Sequence, residues 1–449
     1  MARRPTLFIT AGLTAVALGC AGCLQDPDAA SGSGGEGMGG FVDGGSPDDD
    51  GVVELLGAFG GSEADAFNKT IASFEDESGI DIQYVADSDF TTTIQQRVGA
   101  NDAPDIGLFP QPGGVLDLAA DNKVQPIDTF LDYDSLDQTL IEGFLDAGRY
   151  EGRVYGAPMR LTVKSLVWYP KPAYGDAGYS TDPATMGELT GVADQIKADG
   201  TAPWCIGWQA DQATGWVGTD WIEEYMLRLH GPKVYDQWTA HEIPFNDPRV
   251  VEAFDEFAKV VKGKGNVLGG ANGVLNTPFE DAMTPAFKDP PGCYLHRQAN
   301  FASAFYPSNV QKNLDDRVGI YVLPPIEGGF KGQPILGGGD LAALFNGNDD
   351  ESKEVMRFLT SDEFGDKWAQ AGGWLSPHTT FDMDNYPNQT TKDIATIAVE
   401  ADVFRYDGSD LMPNAVGGGS FWSGMVQWMG GDKSSKQVTD DIEASWPND

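Results

Sequence analysis

Short apolar segments alternate with amphipathic segments between residues 52 and 109, and this alternation limits the fold more than any other feature of the chain. Residues 52–56, 80–85 and 105–109 are rich in aliphatic and aromatic residues, which is typical of buried strands. The segments between them, 62–79 and 90–99, repeat apolar residues at helical spacing. Strands joined in this way by helices form a parallel sheet. The sequence therefore predicts an α/β fold.

Three loops of the predicted sheet are candidate ligand contacts, at residues 60–63, 87–90 and 109–113. Ligands of parallel sheets bind in the loops that follow the carboxyl ends of the strands. Ser62 is also expected to cap the helix after the first strand. A Gly-Gly pair precedes it, but without the Lys and Ser of a phosphate-binding loop. Side chains of the loops after the first and third strands are therefore predicted to bind substrate: Ser62, Glu63, Phe109 and Gln111.

The segment 155–170, YGAPMRLTVKSLVWYP, is predicted to carry the chain from one lobe to another. Its turn-forming Gly-Ala-Pro precedes alternating apolar and polar residues, which indicate an extended strand. The apolar side chains can face a core while Arg160, Thr162 and Lys164 point the other way. The alternative is one more strand of a single large sheet.

Acidic residues dominate the charge of this 449-residue chain, which is long enough for two lobes and a tail. Asp and Glu outnumber Lys and Arg by 68 to 29, for a net charge of -39. This excess disfavours nucleic acid, anionic lipid surfaces and anionic ligands as partners. Because it extends over the whole chain, it indicates a surface suited to high salt, where screening weakens self-repulsion. We infer a halophilic source.

The N-terminus has the features of an export signal. A pair of arginines precedes an apolar segment too short for a permanent membrane helix, so residues 1–19 are predicted to be a cleaved signal peptide. The export route is either the general secretory pathway or the twin-arginine pathway, and the sequence does not decide between them. The segment ending at Cys20 resembles a lipobox, after which a lipid-modified cysteine becomes the mature N-terminus, and Cys23 is the alternative. Residues 20–50 are predicted to form a disordered acidic tether that holds the protein at the outer face of the cell membrane.

Tryptophan is concentrated between residues 203 and 239, together with Gln, Asp and Glu. Sugars are bound by this mixture, since aromatic faces pack on the C–H side of the ring and carboxylates or amides bond to the hydroxyls. Trp221 shares one face of a helical pattern with Tyr225 and Leu229, so part of the group is expected to be core. We expect one to three of these tryptophans to contact ligand, with three candidates: Trp208, Trp216 and Trp221.

Cys205 and Cys293 are the only cysteines of the predicted folded region. Outside the cytoplasm an isolated pair is expected to be oxidised, so we predict a disulfide, with two buried thiols as the alternative. The four histidines do not have the spacing of a metal site. No metal or cofactor is predicted.

Seven motifs follow one another from residue 164 to residue 422. They are KSLVWY at 164–169, PWCIG at 203–207, PPGCYLHRQ at 290–298, LGGGDL at 336–341, GGWLSPH at 372–378, DGSDLMP at 407–413 and GSFW at 419–422. On these motifs the chain resembles the substrate-binding component of a carbohydrate ABC importer, and most closely the alpha-glucoside-binding branch of the maltose-binding-protein-like family.

The resemblance implies a two-lobed periplasmic-binding-protein-like fold whose lobes close over a sugar in a central cleft. Crossing segments near residues 158–166 and 336–341 would form the hinge. The implied lobes divide residues 51–449 as follows: a first lobe of about 51–160 plus part of 301–345, and a second lobe of about 161–300 plus the C-terminal helices.

The resemblance also implies site residues and partners. Trp422 would head a helix that faces the cleft, and Asp340, after three glycines, would accept hydrogen bonds from sugar hydroxyls. Arg297 and Trp374 are further expected contacts within the motifs. Maltose-binding proteins have charged residues in the loop that here spans 109–112, so the hydroxyl contacts there must differ. The implied partners are a neutral sugar and a membrane permease with its cytoplasmic ATPase, and the protein is expected to be a monomer.

These features predict a non-catalytic lipoprotein that captures a neutral sugar, an alpha-glucoside or malto-oligosaccharide, and delivers it to a permease. A secreted glycoside hydrolase is the alternative from another class, and it would need two carboxylates about 5 to 10 Å apart. A sugar-sensing partner of a receptor would share the fold. The sequence contains no nucleophile elbow, nucleotide loop or metal motif that favours an enzyme.

Overall fold

The computed structural model describes residues 50–141 and 144–447. The predicted signal peptide, both candidate lipid-attachment cysteines and nearly all of the predicted tether lie outside the described residues. Among the helices of the described part, none is long and apolar enough to span a bilayer.

The described strands and helices have the following bounds. The strands are β1 (Val52–Gly57), β2 (Asp81–Ala86), β3 (Ile106–Phe109), β4 (Arg149–Tyr150), β5 (Arg153–Val154), β6 (Gly156–Pro158), β7 (Thr162–Val163), β8 (Leu166–Pro170), β9 (Ala202–Trp204), β10 (Cys293–Arg297), β11 (Val318–Val322), β12 (Ile335–Gly338), β13 (Leu341–Leu344) and β14 (Phe404–Tyr406). The helices are α1 (Gly61–Ser78), α2 (Phe90–Gly99), α3 (Pro112–Ala120), α4 (Tyr133–Thr139), α5 (Lys171–Asp176), α6 (Met186–Ala198), α7 (Trp216–Thr239), α8 (Pro248–Val261), α9 (Gly270–Asn276), α10 (Ser308–Gln311), α11 (Leu314–Arg317), α12 (Asp350–Leu359), α13 (Asp366–Ala371), α14 (Gln389–Val399), α15 (Gly408–Leu411), α16 (Trp422–Gly430) and α17 (Ser435–Ala444).

The first sheet has the order β2-β1-β3-β13-β6. Strand β1 pairs in parallel with β2 and β3, and α1 and α2 connect the three strands, so the predicted strand and helix alternation is confirmed. Strand β13 returns antiparallel between β3 and β6. The predicted cap at Ser62 is wrong: α1 begins at Gly61 after an extended Gly60, without a side-chain cap, and Ser62 lies exposed in the first turn.

The second sheet has the order β11-β8-β10-β9. Strand β8 pairs antiparallel with both β10 and β11, and β9 runs parallel to β10. The predicted disulfide is present between Cys205 and Cys293, with an S–S distance of 2.08 Å. Because Cys205 directly follows β9 and Cys293 begins β10, the bond links two neighbouring strands within this sheet.

The chain passes between the two sheets through a small third sheet of order β14-β12-β7. The segment 155–170 forms three short strands instead of one: β6 in the first sheet, β7 in the third and β8 in the second. Strand β12 pairs with β7 and continues into β13 of the first sheet. A Cβ at Gly339, between β12 and β13, would lie 1.9 Å from the backbone oxygen of Arg160, so this crossing requires glycine. Strand β14 pairs with β12 and forms a third crossing segment beside β7 and β12, which the sequence analysis did not predict.

Helices after residue 345 divide between the two sheets. Helices α12 and α13 pack against β1, β13 and α1 of the first sheet, whereas α16 and α17 pack on α7 and α8 beside the second. The division into lobes, which gave the C-terminal helices to the second lobe, stays a prediction. In the structure the buried faces of α12 and α13 carry Met356 and Trp368 into a core that includes the first sheet. Strand β11 lies in the second sheet.

Helix α7 is longer than its sequence pattern, with a break near its middle. Gly231 has a positive φ of 79° and is followed by Pro232, which has no N–H to donate. Its N-terminal half is buried on all sides and contains the acidic residues Asp220, Glu223 and Glu224. Buried carboxylates need partners. Asp220 pairs with Lys164 of the crossing segment and with Arg297 of β10, and Glu224 pairs with Arg228 and Arg297.

Candidate functional site

A cavity of about 210 Å³ lies where the loops of the first sheet, the crossing segments and α7 meet. The loops after β1 and β3 contribute side chains to it, as expected for the carboxyl ends of parallel strands. The crossing segments contribute Arg160, Thr162, Lys164 and Asp340, and the C-terminal part of the chain contributes Asp407, Asp410 and Trp422.

Four aromatic residues form one wall of the cavity, here called the aromatic wall: Trp216, Phe279, Phe301 and Phe305. The ring centroid of Trp216 is 5.2 Å from that of Phe279 and 6.2 Å from that of Phe301. Phe305 packs on both phenylalanines, at 5.7 and 6.2 Å. Flat apolar surfaces of this kind bind the C–H faces of sugar rings.

Arg160 holds two carboxylates at the cavity in what we call the Arg160 cluster (Arg160, Glu63, Asp340). Its guanidinium donates to Glu63 at 2.7 Å and lies 3.6 Å from Asp340. Burial raises the pKa of Asp340, and the charge of Arg160 partly opposes this. The Nε of Arg160 has no hydrogen-bond partner among the described residues, so the cluster retains capacity for a ligand.

Lys164 binds three carboxylates in the Lys164 cluster (Lys164, Asp220, Asp407, Asp410). Its ammonium lies 3.1 Å from Asp220 and 3.7 Å from Asp410, and it also bonds to Asp407. Burial favours the neutral amine, but the three carboxylates outweigh it and hold the pKa of Lys164 well above its usual value. The cluster joins a crossing segment to α7 and to α15.

Proton affinities differ within the Lys164 cluster. Burial raises the pKa of Asp220 to about 6 and, together with the charge of Asp407, raises that of Asp410 well above its usual range. Burial acts on Asp407 in the same direction, but Lys164 prevails and lowers its pKa to about 2. Asp407 therefore stays charged, Asp220 takes up a proton as the pH falls below about 6, and the outer carboxyl of Asp410 tends to hold a proton.

Carboxylate oxygens of Asp220, Glu223 and Asp407 lie within 4.8 Å of one another, a spacing that a metal ion can bridge. Lys164 already bonds to two of these three residues. The donor set is thus occupied by an ammonium and does not fit a metal ion as arranged.

Five of the residues predicted to bind substrate line the cavity: Glu63, Gln111, Trp216, Asp340 and Trp422. Trp422 begins α16 after a π-helical turn at Val416–Phe421, and its indole Nε1 has no partner among the described residues. The hydroxyl of Thr162 is likewise buried without a partner. These groups can bond to ligand hydroxyls.

The other predicted substrate contacts lie outside the lining. Ser62 is exposed on α1, and Phe109 packs in a core against Phe90. Trp208 and Trp221 are completely buried around Phe257, and Trp374 is completely buried beside Phe364. Arg297 lies behind the cavity, where it donates to Asp220 at 2.9 Å and to Glu224 at 3.1 Å, and so supports a lining residue from the second sheet.

Sequence reasoning missed several lining residues. Arg160, Thr162 and Lys164 were expected only to point away from a core, and that pattern was the available signal for a cavity-facing strand. Asp407 and Asp410 lie in the motif DGSDLMP, but neither residue was predicted to bind substrate. Phe279, Phe301 and Phe305 lie in two short 3-10 helices, which are too brief to show a periodic sequence pattern.

A comparison with family models gives a match between residues 60–366 and the model for "Bacterial extracellular solute-binding protein". The chain belongs to this family. The family of extracellular solute-binding proteins serves ABC importers, so the protein is a substrate-binding component of an ABC sugar transporter that works with a membrane permease. The resemblance inferred from the seven motifs is confirmed.

Two relatives match this solute-binding protein over most of its length. The osmoprotective compounds-binding protein GgtB of Synechocystis sp. is 42% identical over 88% of this chain and 92% of its own. The alpha-glucosides-binding periplasmic protein AglE of Rhizobium meliloti is 34% identical over 88% of this chain and 87% of its own.

Solved structures confirm the two-lobed fold of the solute-binding protein. A chitin oligosaccharide binding protein superposes with a TM-score of 0.74 at 17% identity, over 88% of this chain and 97% of that one. Maltose-bound MalE3 of T. maritima gives a TM-score of 0.66 at 16% identity, over 88% and 98%. At these identities the likeness concerns the fold alone.

Proposed function

We propose that this protein is a lipoprotein that captures a neutral alpha-glucoside in the cavity and delivers it to its permease without chemical change. The observation that carries this proposal is the combination of the aromatic wall and Trp422 with polar groups of the lining that have no partner in the part of the chain that the structure describes. Apolar faces and a few directed hydrogen-bonding groups are what a sugar site requires.

The ligand class is supported by two independent facts. One relative is named for osmoprotective compounds and the other for alpha-glucosides. The chain itself has a net charge of -39, which suits a surface exposed to high salt. We propose that the ligand is a glucoside taken up by a halophilic cell.

We further propose that the two lobes follow the first and second sheets, with the three crossing strands as the hinge. A ligand that contacts both sides of the cavity shifts the population toward the closed form. After cleavage of the N-terminal signal, a lipid on Cys20 or Cys23 and the acidic tether would hold the protein at the outer face of the membrane as a monomer.

Titration calorimetry on the purified ectodomain with maltose, trehalose and other neutral alpha-glucosides tests this function, followed by product analysis of the same samples. We expect binding with the sugar recovered intact. Turnover of the sugar would favour the hydrolase alternative, and failure to bind any neutral glucoside would contradict the proposed ligand class.

A further inference from the structure

The cavity has more negative than positive charge on its walls. Five carboxylates line it, from Glu63, Asp220, Asp340, Asp407 and Asp410, against two cationic side chains. The described lining therefore has a formal excess of three negative charges. The Arg297 guanidinium behind Asp220 offsets one of them, and the proton that Asp410 tends to hold offsets another. A neutral ligand displaces water and leaves this excess in a less polar medium, which is unfavourable.

Like Asp410, whose nearest cationic atom is the Lys164 Nζ at 3.7 Å, Asp340 is only weakly paired. The closest cationic atom is a nitrogen of Arg160 at 3.6 Å, beyond hydrogen-bond range, because that guanidinium is directed at Glu63. Among the described residues, Arg160 is the only cationic side chain within 4.0 Å of the Asp340 carboxylate. A donor with a positive charge would satisfy both its lone pairs and its charge.

The aromatic wall also suits a cation. The guanidinium carbon of Arg160 lies 5.6 Å from the centroid of Phe301, and the ammonium of Lys164 lies 5.6 Å from that of Trp216. Aromatic faces attract cations within about 6 Å through the ring quadrupole. The wall thus already faces positive groups, and a ligand ammonium between it and Asp340 would extend the same arrangement.

We propose that the cavity binds sugar-like ligands with a protonated amine, and binds them more tightly than the corresponding neutral glucosides. This rests on the proposed function as a sugar-binding protein and adds a ligand class to it. Burial raises the pKa of both Asp340 and Asp410, because a negative charge on either buried carboxyl is unfavourable. A ligand ammonium beside such a carboxylate would balance that charge, as a proton does in the absence of ligand. The Asp220, Glu223 and Asp407 trio is excluded as the amine site because Lys164 already bonds to it.

Calorimetric titration of the ectodomain with trehalose, its 2-amino-2-deoxy and 6-amino-6-deoxy counterparts, and their N-acetyl forms tests the proposal. We expect at least one amine to bind about tenfold to a hundredfold more tightly than trehalose, the gain of a charge-assisted hydrogen bond. N-acetylation should abolish the gain because it removes the charge and keeps the position. Asp340→Asn should abolish it too, whereas Asp176→Asn, an exposed acid on α5, should leave it unchanged.

The proposal is overturned if every amine binds no better than trehalose, and also if Asp340→Asn retains the full preference. In the first case trehalose binding itself still supports the proposed function. If amines bind and no neutral glucoside does, the neutral ligand class fails and this inference stands. A sample that binds nothing overturns both, provided that its thermal unfolding shows a folded protein.

Discussion

The Arg160 cluster and the Lys164 cluster lie on the same crossing segment, four residues apart in sequence, yet they differ in how fully they are paired. Lys164 has three carboxylates around one ammonium. Arg160 retains an unpartnered Nε and holds Asp340 only at 3.6 Å. A buried cation that is surrounded by acceptors fixes structure, whereas open hydrogen-bonding positions beside a cavity bind ligand. The comparison teaches that charge alone does not mark a binding residue.

The largest expected effect is that of Lys164→Met, which leaves buried carboxylates without their cation. Breaking a buried ion pair in this way costs about 3 to 5 kcal/mol of the free energy of unfolding. Urea denaturation measures it, with the exposed Lys69→Met on α1 as the matched control. A loss below about 1 kcal/mol would mean that Lys164 is not a structural residue and would remove the contrast between the clusters.

A pH series on Asp220→Asn tests whether the Lys164 cluster holds a proton. The folded-state pKa of Asp220 is about 6 against an ordinary 3.8, so this group contributes stability at low pH that is lost as pH rises between these values. The stability of the wild type relative to the variant should therefore fall by up to about 3 kcal/mol between about pH 4 and pH 7. If the stability difference between the wild type and Asp220→Asn does not change with pH, Asp220 does not take up a proton in the folded protein over this range.

Trp422→Ala separates ligand contact from packing. Both Trp422 and Trp374 are buried and have an unpartnered indole N–H, but only Trp422 is part of the cavity lining. Trp422→Ala should weaken alpha-glucoside binding by about 1.5 to 3 kcal/mol, roughly tenfold to a hundredfold. Trp374→Ala should lower the melting temperature and leave the affinity of the folded fraction unchanged. Normal binding by a destabilised Trp422→Ala would make Trp422 a core residue.

The fold was accessible from the sequence because its signals are local or repeated. The helical and strand spacing between residues 52 and 109 gives the parallel part of the first sheet, and an isolated cysteine pair gives the disulfide. The antiparallel return of β13 and the third crossing β14 depend on long-range pairing, which no local pattern encodes.

The site was only partly accessible for the same reason. Trp208, Trp216 and Trp221 have similar polar neighbours in sequence, yet only Trp216 lines the cavity. Which face of α7 meets the cavity is decided by its packing on Phe257 and Trp204, both distant along the chain. Composition can indicate a sugar site, but tertiary packing selects its residues.

The smallest expected effect is that of Asp340→Asn on binding of a neutral glucoside. Asn keeps the size of the side chain and one accepting oxygen, so only the difference between a charged and a neutral hydrogen bond is lost, about 1 to 2 kcal/mol. Stability should hardly change or should increase slightly, because burial disfavours the charge of Asp340 in the folded state. Calorimetry and thermal unfolding on the same preparation measure both quantities. A large loss of stability with unchanged affinity would make Asp340 a structural residue, like the members of the Lys164 cluster. Its contact with Arg160 would then stabilise the crossing segments rather than bind the ligand.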